Sequence, residues 1–241
     1  VMVQPRQYSH AKIKSIDITE AEAMPGVYKV VLAKDVQGSN RLAFFSFTPR
    51  TLATEKTHHV IAEDKIMNYG DIIAVVVSET KDHARDAVAK VKYELEPLPE
   101  YNNYLDAVMP DAMRIHDDHP NMWCVQPTVK GAGHDIEPLF EEAPHVVEGS
   151  FYSQREPHGN IEGDTVQAYM GEDGLLTVQC KAMAIGANLA DISEATGLPV
   201  EKIRVIENPT GASFGWSTAG LTFALAALVC PACDGMTIAL S

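Results

Sequence analysis

The ten residues Leu221–Cys230, LTFALAALVC, carry no charge and a single polar side chain. A helix that is apolar all round has no face to offer water, so other parts of the chain must surround it. The run is about half of the ~20 residues that a membrane span requires. It therefore reads as a buried helix at the centre of a globular core. With 46% apolar residues the chain holds enough hydrophobic surface to build such a core. Directly ahead of the run lies ENPTGASFGWSTAG, with Gly211, Ala212, Gly215 and Gly220 around one Phe214. Glycine permits tight turns and close backbone approach. A following helix N-terminus offers unpaired N–H groups that suit a phosphate or an oxyanion. The same letters also fit an ordinary strand–turn–helix connection, and the loop alone does not decide between the two.

The 241 residues suit one large domain or two modest ones. A net charge of −14 argues against a nucleic-acid groove, which would want clustered Lys and Arg. VMVQPRQYSH has no continuous apolar stretch of the kind a signal peptide carries. No membrane association is expected, and the expected compartment is the cytoplasm. Cys124, Cys180, Cys230 and Cys233 are too few and too unevenly spaced for a disulfide framework. The CPAC spacing at Cys230–Cys233 lacks the second ligand pair of a zinc knuckle and closes an apolar run instead of opening a helix. Inert buried thiols are expected there, with a zinc or redox role as the alternative.

In the first hundred residues strand and helix patterns alternate. Lys12–Ile18 alternates in strand fashion, Thr19 and Glu22 have capping-box spacing, and Val27–Leu32 and Asp71–Ser78 read as strands. From Lys81, apolar Ala84, Ala87, Val88 and Val91 fall on one helical face, and a strand follows at Val91–Leu95. Between Glu100 and Pro144 five prolines and little periodicity indicate a wrapping linker. Its HDDH, His116–His119, reads as a solvated turn in preference to a metal site.

After Pro144 a second unit begins. His145–Gln154 reads as a strand, and a hairpin turns at Glu172–Gly174. A helix is stopped by Gly197, Pro199 opens a short helical turn, and Ile203–Asn208 is a strand that delivers the chain into the glycine loop. MTIALS reads as a further strand whose sheet partners are missing.

This order of motifs resembles the xanthine oxidase family of molybdenum hydroxylases. SHAKIKSIDITEAEAMPGVYKVVLAKDV and NYGDIIAVVVSETKDHARDAVAKVKYELEPLPEY are similar to the two halves of that family's hammerhead domain. REPHGNIEGDTVQAYMGEDG and GASFGWS resemble the opening of its cofactor-binding region and its GG-x-FG-x-K loop, most closely in bacterial aldehyde oxidoreductases. The resemblance implies an α+β fold: an α/β hammerhead domain over 1–104, a linker over 105–142 and an incomplete molybdopterin-binding α+β lobe over 143–241. It implies a molybdopterin cofactor in the cytosine dinucleotide form, iron–sulfur clusters on a partner or further domain, and oxidative hydroxylation of an aldehyde or N-heterocycle.

The resemblance also assigns residues. Gly211, Ala212, Phe214 and Gly215 would lie against the cofactor, with Phe214 and Trp216 lining a substrate pocket. His158 and Glu162 would be scaffold beneath the cofactor or a hydrogen-bonded turn. Lys181 falls where some relatives place a polar residue near the metal, or is an ordinary strand-end lysine. Ala212 stands in place of a glycine, Ser217 in place of a lysine and Gly163 in place of a proline. No residue is assigned as catalytic or metal-ligating, and none of Glu156, Glu162, Glu201 or Glu207 lies in the motif of the family's glutamate base. The chain is therefore expected to need a further molybdopterin-binding polypeptide and an iron–sulfur subunit to act on a small-molecule substrate. The alternative is a non-catalytic structural relic of the same fold.

Overall fold

The computed structural model describes residues 1–42, 58–117, 120–122, 135–154 and 156–240. In it, Leu221–Ala232 forms a helix whose residues Phe223 to Cys230 are all buried. The need for that helix to be enclosed organises what surrounds it.

The N-terminal part contributes β1 (Met2–Val3), β2 (Ala11–Asp17), α1 (Thr19–Glu22), β3 (Val27–Val31), β4 (Lys65–Ile66), β5 (Ala74–Ser78), α2 (Lys81–Val88) and β6 (Lys92–Pro97). Two three-stranded sheets result, ordered β1-β5-β3 and β4-β2-β6, with antiparallel pairing throughout. The expected strand at 71–78 begins at Ala74, because the carboxylate of Asp71 accepts from the backbone N–H of Met67 and Asn68 and holds a turn. The capping box at Thr19 does not form. Asp17 Oδ1 accepts from Thr19 N–H instead, and Glu22 turns to Val30 N–H on β3. At α2, Thr80 caps the helix by accepting from His83 N–H.

Among the described linker residues two short helices appear, α3 (Tyr104–Ala107) and α4 (Glu137–Glu142). Asp117 of the HDDH stretch pairs with buried Lys65 at 2.9 Å, which ties the linker to the first unit. Asp118, His119 and Cys124 lie outside the described residues. The expected strand over His145–Gln154 is absent. Val147 and Phe151 are 94% and 99% exposed, so the alternating pattern faces no sheet.

The C-terminal part comprises β7 (Val166–Met170), β8 (Leu176–Cys180), α5 (Ile185–Thr196), β9 (Ile203–Glu207), α6 (Leu221–Ala232) and β10 (Ile238–Leu240). The sheet order is β10-β7-β8-β9, with β8 and β9 parallel across the α5 crossover. The strand at MTIALS does have a partner: β10 pairs antiparallel with β7, Ile238 opposite Ala168. Cys180, Cys230 and Cys233 are buried free thiols, and burial pushes them up to about 12, 11 and 11. Such thiols are protonated and unreactive at neutral pH.

One hydrophobic core joins the two parts. Val31, Leu42, Val60, Ile61, Ile72 and Val75 pack in the same cluster as α6 and the four-stranded sheet. The N-terminal part also satisfies carbonyls that helix ends leave open. Ser39 Oγ donates to Glu194 O and Asn40 N–H to Ala195 O at the end of α5. Lys29 Nζ donates to Ala232 O at the end of α6.

Asn40 is buried in a left-handed conformation (φ 55°), and its amide exchanges two hydrogen bonds with the backbone of Ile61. Asn40→Ala leaves both Ile61 groups unpaired in the core, where each such loss costs about 1–3 kcal/mol. Urea denaturation should show a lower midpoint with an unchanged slope; an unchanged midpoint would contradict the role of the Asn40 amide in pairing the Ile61 backbone.

Candidate functional site

Strands β8 and β9 run side by side in the same direction, and both their C-terminal ends open toward the loop 208–220. Ligands of open parallel sheets gather at such ends, where loops replace regular pairing. The loop continues β9, and Asn208 N–H donates to Cys180 O, so the exit from β9 is fixed to the end of β8.

The first half of the loop is gripped from inside. Glu162 Oε2 accepts from Gly211 N–H at 2.6 Å and from Ala212 N–H at 2.7 Å. A Cβ added at Gly211 would come within 2.8 Å of that carboxylate oxygen, so glycine is what lets Glu162 approach. The Ala212 and Gly211 N–H bonds, with the nearby Lys181 charge, hold the Glu162 carboxyl below the ordinary glutamate range.

Behind the loop sits Lys181, the bulkiest fully buried side chain among the described residues, only 2% exposed. Its ammonium donates to Ala212 O at 2.8 Å and to Glu162 O at 3.0 Å, and pairs with Asp164 Oδ1 at 3.3 Å. Ser217 Oγ donates to the same Asp164 oxygen at 2.7 Å, and Thr222 Oγ1 to the other at 3.4 Å. Ser217 is buried, and its N–H donates to Ser213 Oγ. The reading of Lys181 as an ordinary strand-end lysine is therefore corrected: it is a buried, fully engaged cation.

The second half of the loop faces outward. Phe214 is 75% exposed in a left-handed conformation (φ 49°), and Gly215 follows with φ 93°. Left-handed backbone costs a residue with a Cβ roughly 1–2 kcal/mol, so neighbouring bonds must impose it on Phe214. Trp216 N–H donates to Ser213 O and closes the turn around it. Among the described residues neither Phe214 N–H nor Gly215 N–H donates to any protein group. No atom lies within 4 Å of where a Cβ at Gly215 would stand, so its Cα faces open space. Trp216, half exposed, meets His158 edge-on with ring centroids 5.5 Å apart. A recess of about 290 Å³ is lined by His158, Gly159, Asn160, Gly163, Asp164 and Trp216.

The five loop residues singled out in the sequence divide into two groups. The N–H groups of Gly211 and Ala212 are consumed by Glu162, whereas Phe214, Gly215 and Trp216 form an exposed face. Ala212 has no left-handed φ, so its methyl in place of a glycine brings no backbone strain. Ser217 in place of a lysine is matched by Lys181, which brings a cation to the same carboxylate. Gly163 has open space around it, and nothing there demands a glycine. Asp164 and Asp191 were missed in the sequence. Asp164 stands two residues beyond Glu162 in the resembling segment, which was a usable signal. Asp191 had none: it is buried on α5 against Gly220, and burial pushes its carboxyl up to about 7.

Unpaired donors at the exposed Phe214 and Gly215, beside two exposed aromatic rings, suit an anionic or oxo group with a planar neighbour. The arrangement fits a molybdopterin approaching from the outer side of the loop. Phe214 and Gly215 would meet it, and Gly211 and Ala212 would hold that pair in place.

Residues 5–99 match the family model described as aldehyde oxidase and xanthine dehydrogenase, a/b hammerhead domain, and residues 115–235 match the molybdopterin cofactor-binding domain. The chain is 39% identical over 227 residues to the aldehyde oxidoreductase of Megalodesulfovibrio gigas, covering 94% of this chain and 25% of that protein. It is 30% identical to the nicotinate dehydrogenase large molybdopterin subunit of Eubacterium barkeri, covering 86% of this chain and 45% of the relative. The solved aldehyde oxidoreductase from Desulfovibrio gigas superposes with a TM-score of 0.90 at 38% identity, over 100% of this chain and 26% of that one. The chain thus spans between a quarter and a half of these relatives' length.

Because the Glu162 carboxyl titrates lower in the folded chain than unfolded, its grip is fully present above the unfolded value of about 4.3. The grip is lost as pH falls through the lower folded value. The stability gap between the native chain and Glu162→Gln should close on acidification from about pH 6 to about pH 3. Thermal melts at each pH would test this, and a gap independent of pH would contradict the clamp.

Proposed function

The chain belongs to the aldehyde oxidase and xanthine dehydrogenase family, pairing its hammerhead domain with its molybdopterin cofactor-binding domain, and from that premise we propose that it forms one wall of a molybdopterin site. The site would serve an oxidoreductase that hydroxylates an aldehyde or an N-heterocycle. When bound, the cofactor supplies the redox chemistry. This chain's residues orient it and shape access to it. Phe214 and Gly215 would present two N–H donors to it, held by the anchored loop before it binds. The Phe214 and Trp216 rings would line the approach of substrate and exclude water from it.

The observation that carries the reading is the pair of N–H groups at exposed Phe214 and Gly215 that, among the described residues, donate to no protein group. The exposed apolar stretch at Val147, Phe151, Tyr152 and Ile161 supports the further proposal that more molybdopterin-binding polypeptide covers this lobe. On the same reading the cofactor is the cytosine dinucleotide form, electrons leave to iron–sulfur clusters on a partner or further domain, and the assembly works in the cytoplasm. The chain divides into a hammerhead domain over 1–104, a linker over 105–142 and a cofactor lobe over 143–241. No helix among the described residues is long and apolar enough to cross a membrane. Ala212 and Ser217, the two substitutions within the loop, are both accommodated there, which supports the cofactor-site reading over a non-catalytic relic.

The protein isolated from its source, with whatever polypeptide accompanies it, should contain molybdenum and pterin. Gly215→Val puts a branched side chain on the exposed Cα and adds roughly 1–2 kcal/mol of left-handed strain. It should abolish both contents while leaving the far-ultraviolet dichroism of the fold intact. Full metal and pterin content in that variant would overturn the assignment, as would their absence from the native assembly.

A further inference from the structure

We propose that Lys181 is a positioning residue, whose buried ammonium holds the 211–217 loop in the conformation that turns the Phe214 and Gly215 N–H groups outward. An ammonium has three N–H donors. Here two of them go to the backbone oxygens of Glu162 and Ala212, and the carboxylate of Asp164 lies 3.3 Å away as the ion-pair partner. The peptide units on either side of Ala212 are thereby held by one device. Its oxygen takes a hydrogen bond from Lys181, and its N–H gives one to Glu162, whose own backbone oxygen is bonded to Lys181. The lysine thus fixes both the loop and the carboxylate that grips the loop. Two residues further on the chain enters the left-handed turn at Phe214. That turn keeps its strained geometry only while the segment before it stays anchored.

A second consequence concerns position 217. Ser217 Oγ and Lys181 Nζ converge on the same Asp164 oxygen. Asp164 is the carboxylate that position 217 reaches, while Glu162 Oε2 stands 4.0 Å from Lys181 and is already committed to the Gly211 and Ala212 N–H groups. A second ammonium at 217 would therefore compete with Lys181 for Asp164, at a cost that is smaller where 181 carries no charge. This inference concerns the loop without a cofactor, so its failure would leave the cofactor reading standing, and the reverse also holds.

The test uses the 241-residue chain, cofactor-free, by NMR. Lys181→Met is the first variant. Lys181→Met with Asp164→Asn removes both charges together and serves where the single change prevents folding. In whichever variant folds, the heteronuclear NOE of the amides at 211–217 should fall while β7, β8 and α6 keep native values. The Glu162 titration midpoint should rise toward the ordinary glutamate range, which a merely space-filling lysine would not alter. In addition, Ser217→Lys should lower the melting temperature in the native background and lower it less, or not at all, beside Lys181→Met. The proposal is overturned by native loop amides with a native Glu162 midpoint. A loss spread evenly over β8 and α6, or an equal effect of Ser217→Lys in both backgrounds, overturns it too.

Discussion

A lysine that is 2% exposed must find partners for its charge inside the protein or give it up. Lys181 finds them in Asp164 and in two backbone oxygens, one from the 162–164 turn and one from the loop. Removing one member of a buried charged pair typically costs about 3–5 kcal/mol, because the other is left uncompensated. The strand end, the turn and the loop are thus bound to one another far more firmly than a surface connection would be. The loop's inner half is thereby held in place, and its outer half at Phe214 and Gly215 is exposed.

The anchorage stands at the focus of the C-terminal lobe. Parallel β8 and β9 end there, and α6 starts there from Gly220. The opposite ends of α5 and α6 receive hydrogen bonds from Ser39, Asn40 and Lys29 of the N-terminal part. Tyr28 adds a hydrogen bond to Asp234 just beyond α6. The hammerhead thus braces the far ends of the helices, and the near ends are left to a loop that must present backbone to a ligand. A shared core of residues from both parts makes this bracing rigid.

Much of the architecture was legible in the sequence. The apolar run at Leu221 announced a buried helix, Gly197 stops α5 in a left-handed conformation, and Gly174 turns the β7–β8 hairpin as read. The errors arose where a side chain chose a partner distant in sequence. Glu22 bonds β3 instead of closing a capping box, and β10 pairs with β7 some seventy residues earlier. The alternating apolar letters of 145–154 matched a strand, but a strand needs a neighbouring edge, which periodicity does not reveal. Within the site, Phe214 and Gly215 could be chosen through the resemblance of GASFGWS to the family's loop, a choice that glycine placement alone did not settle. The division of labour between them and Gly211–Ala212 could not, because it depends on Glu162 reaching across forty-nine residues. The burial of Lys181 was equally hidden, since a lysine at a strand end is usually solvated.

The central claim is that this loop has an inner half consumed by its own protein and an outer half left bare for something else. Site-resolved amide hydrogen exchange on the cofactor-free chain tests it most directly. The account predicts slow exchange at Gly211 and Ala212 together with near-unprotected exchange at Phe214 and Gly215, four residues apart on one short loop. Uniform exchange along the loop, or protection at Phe214 and Gly215 in the absence of any ligand, would contradict it.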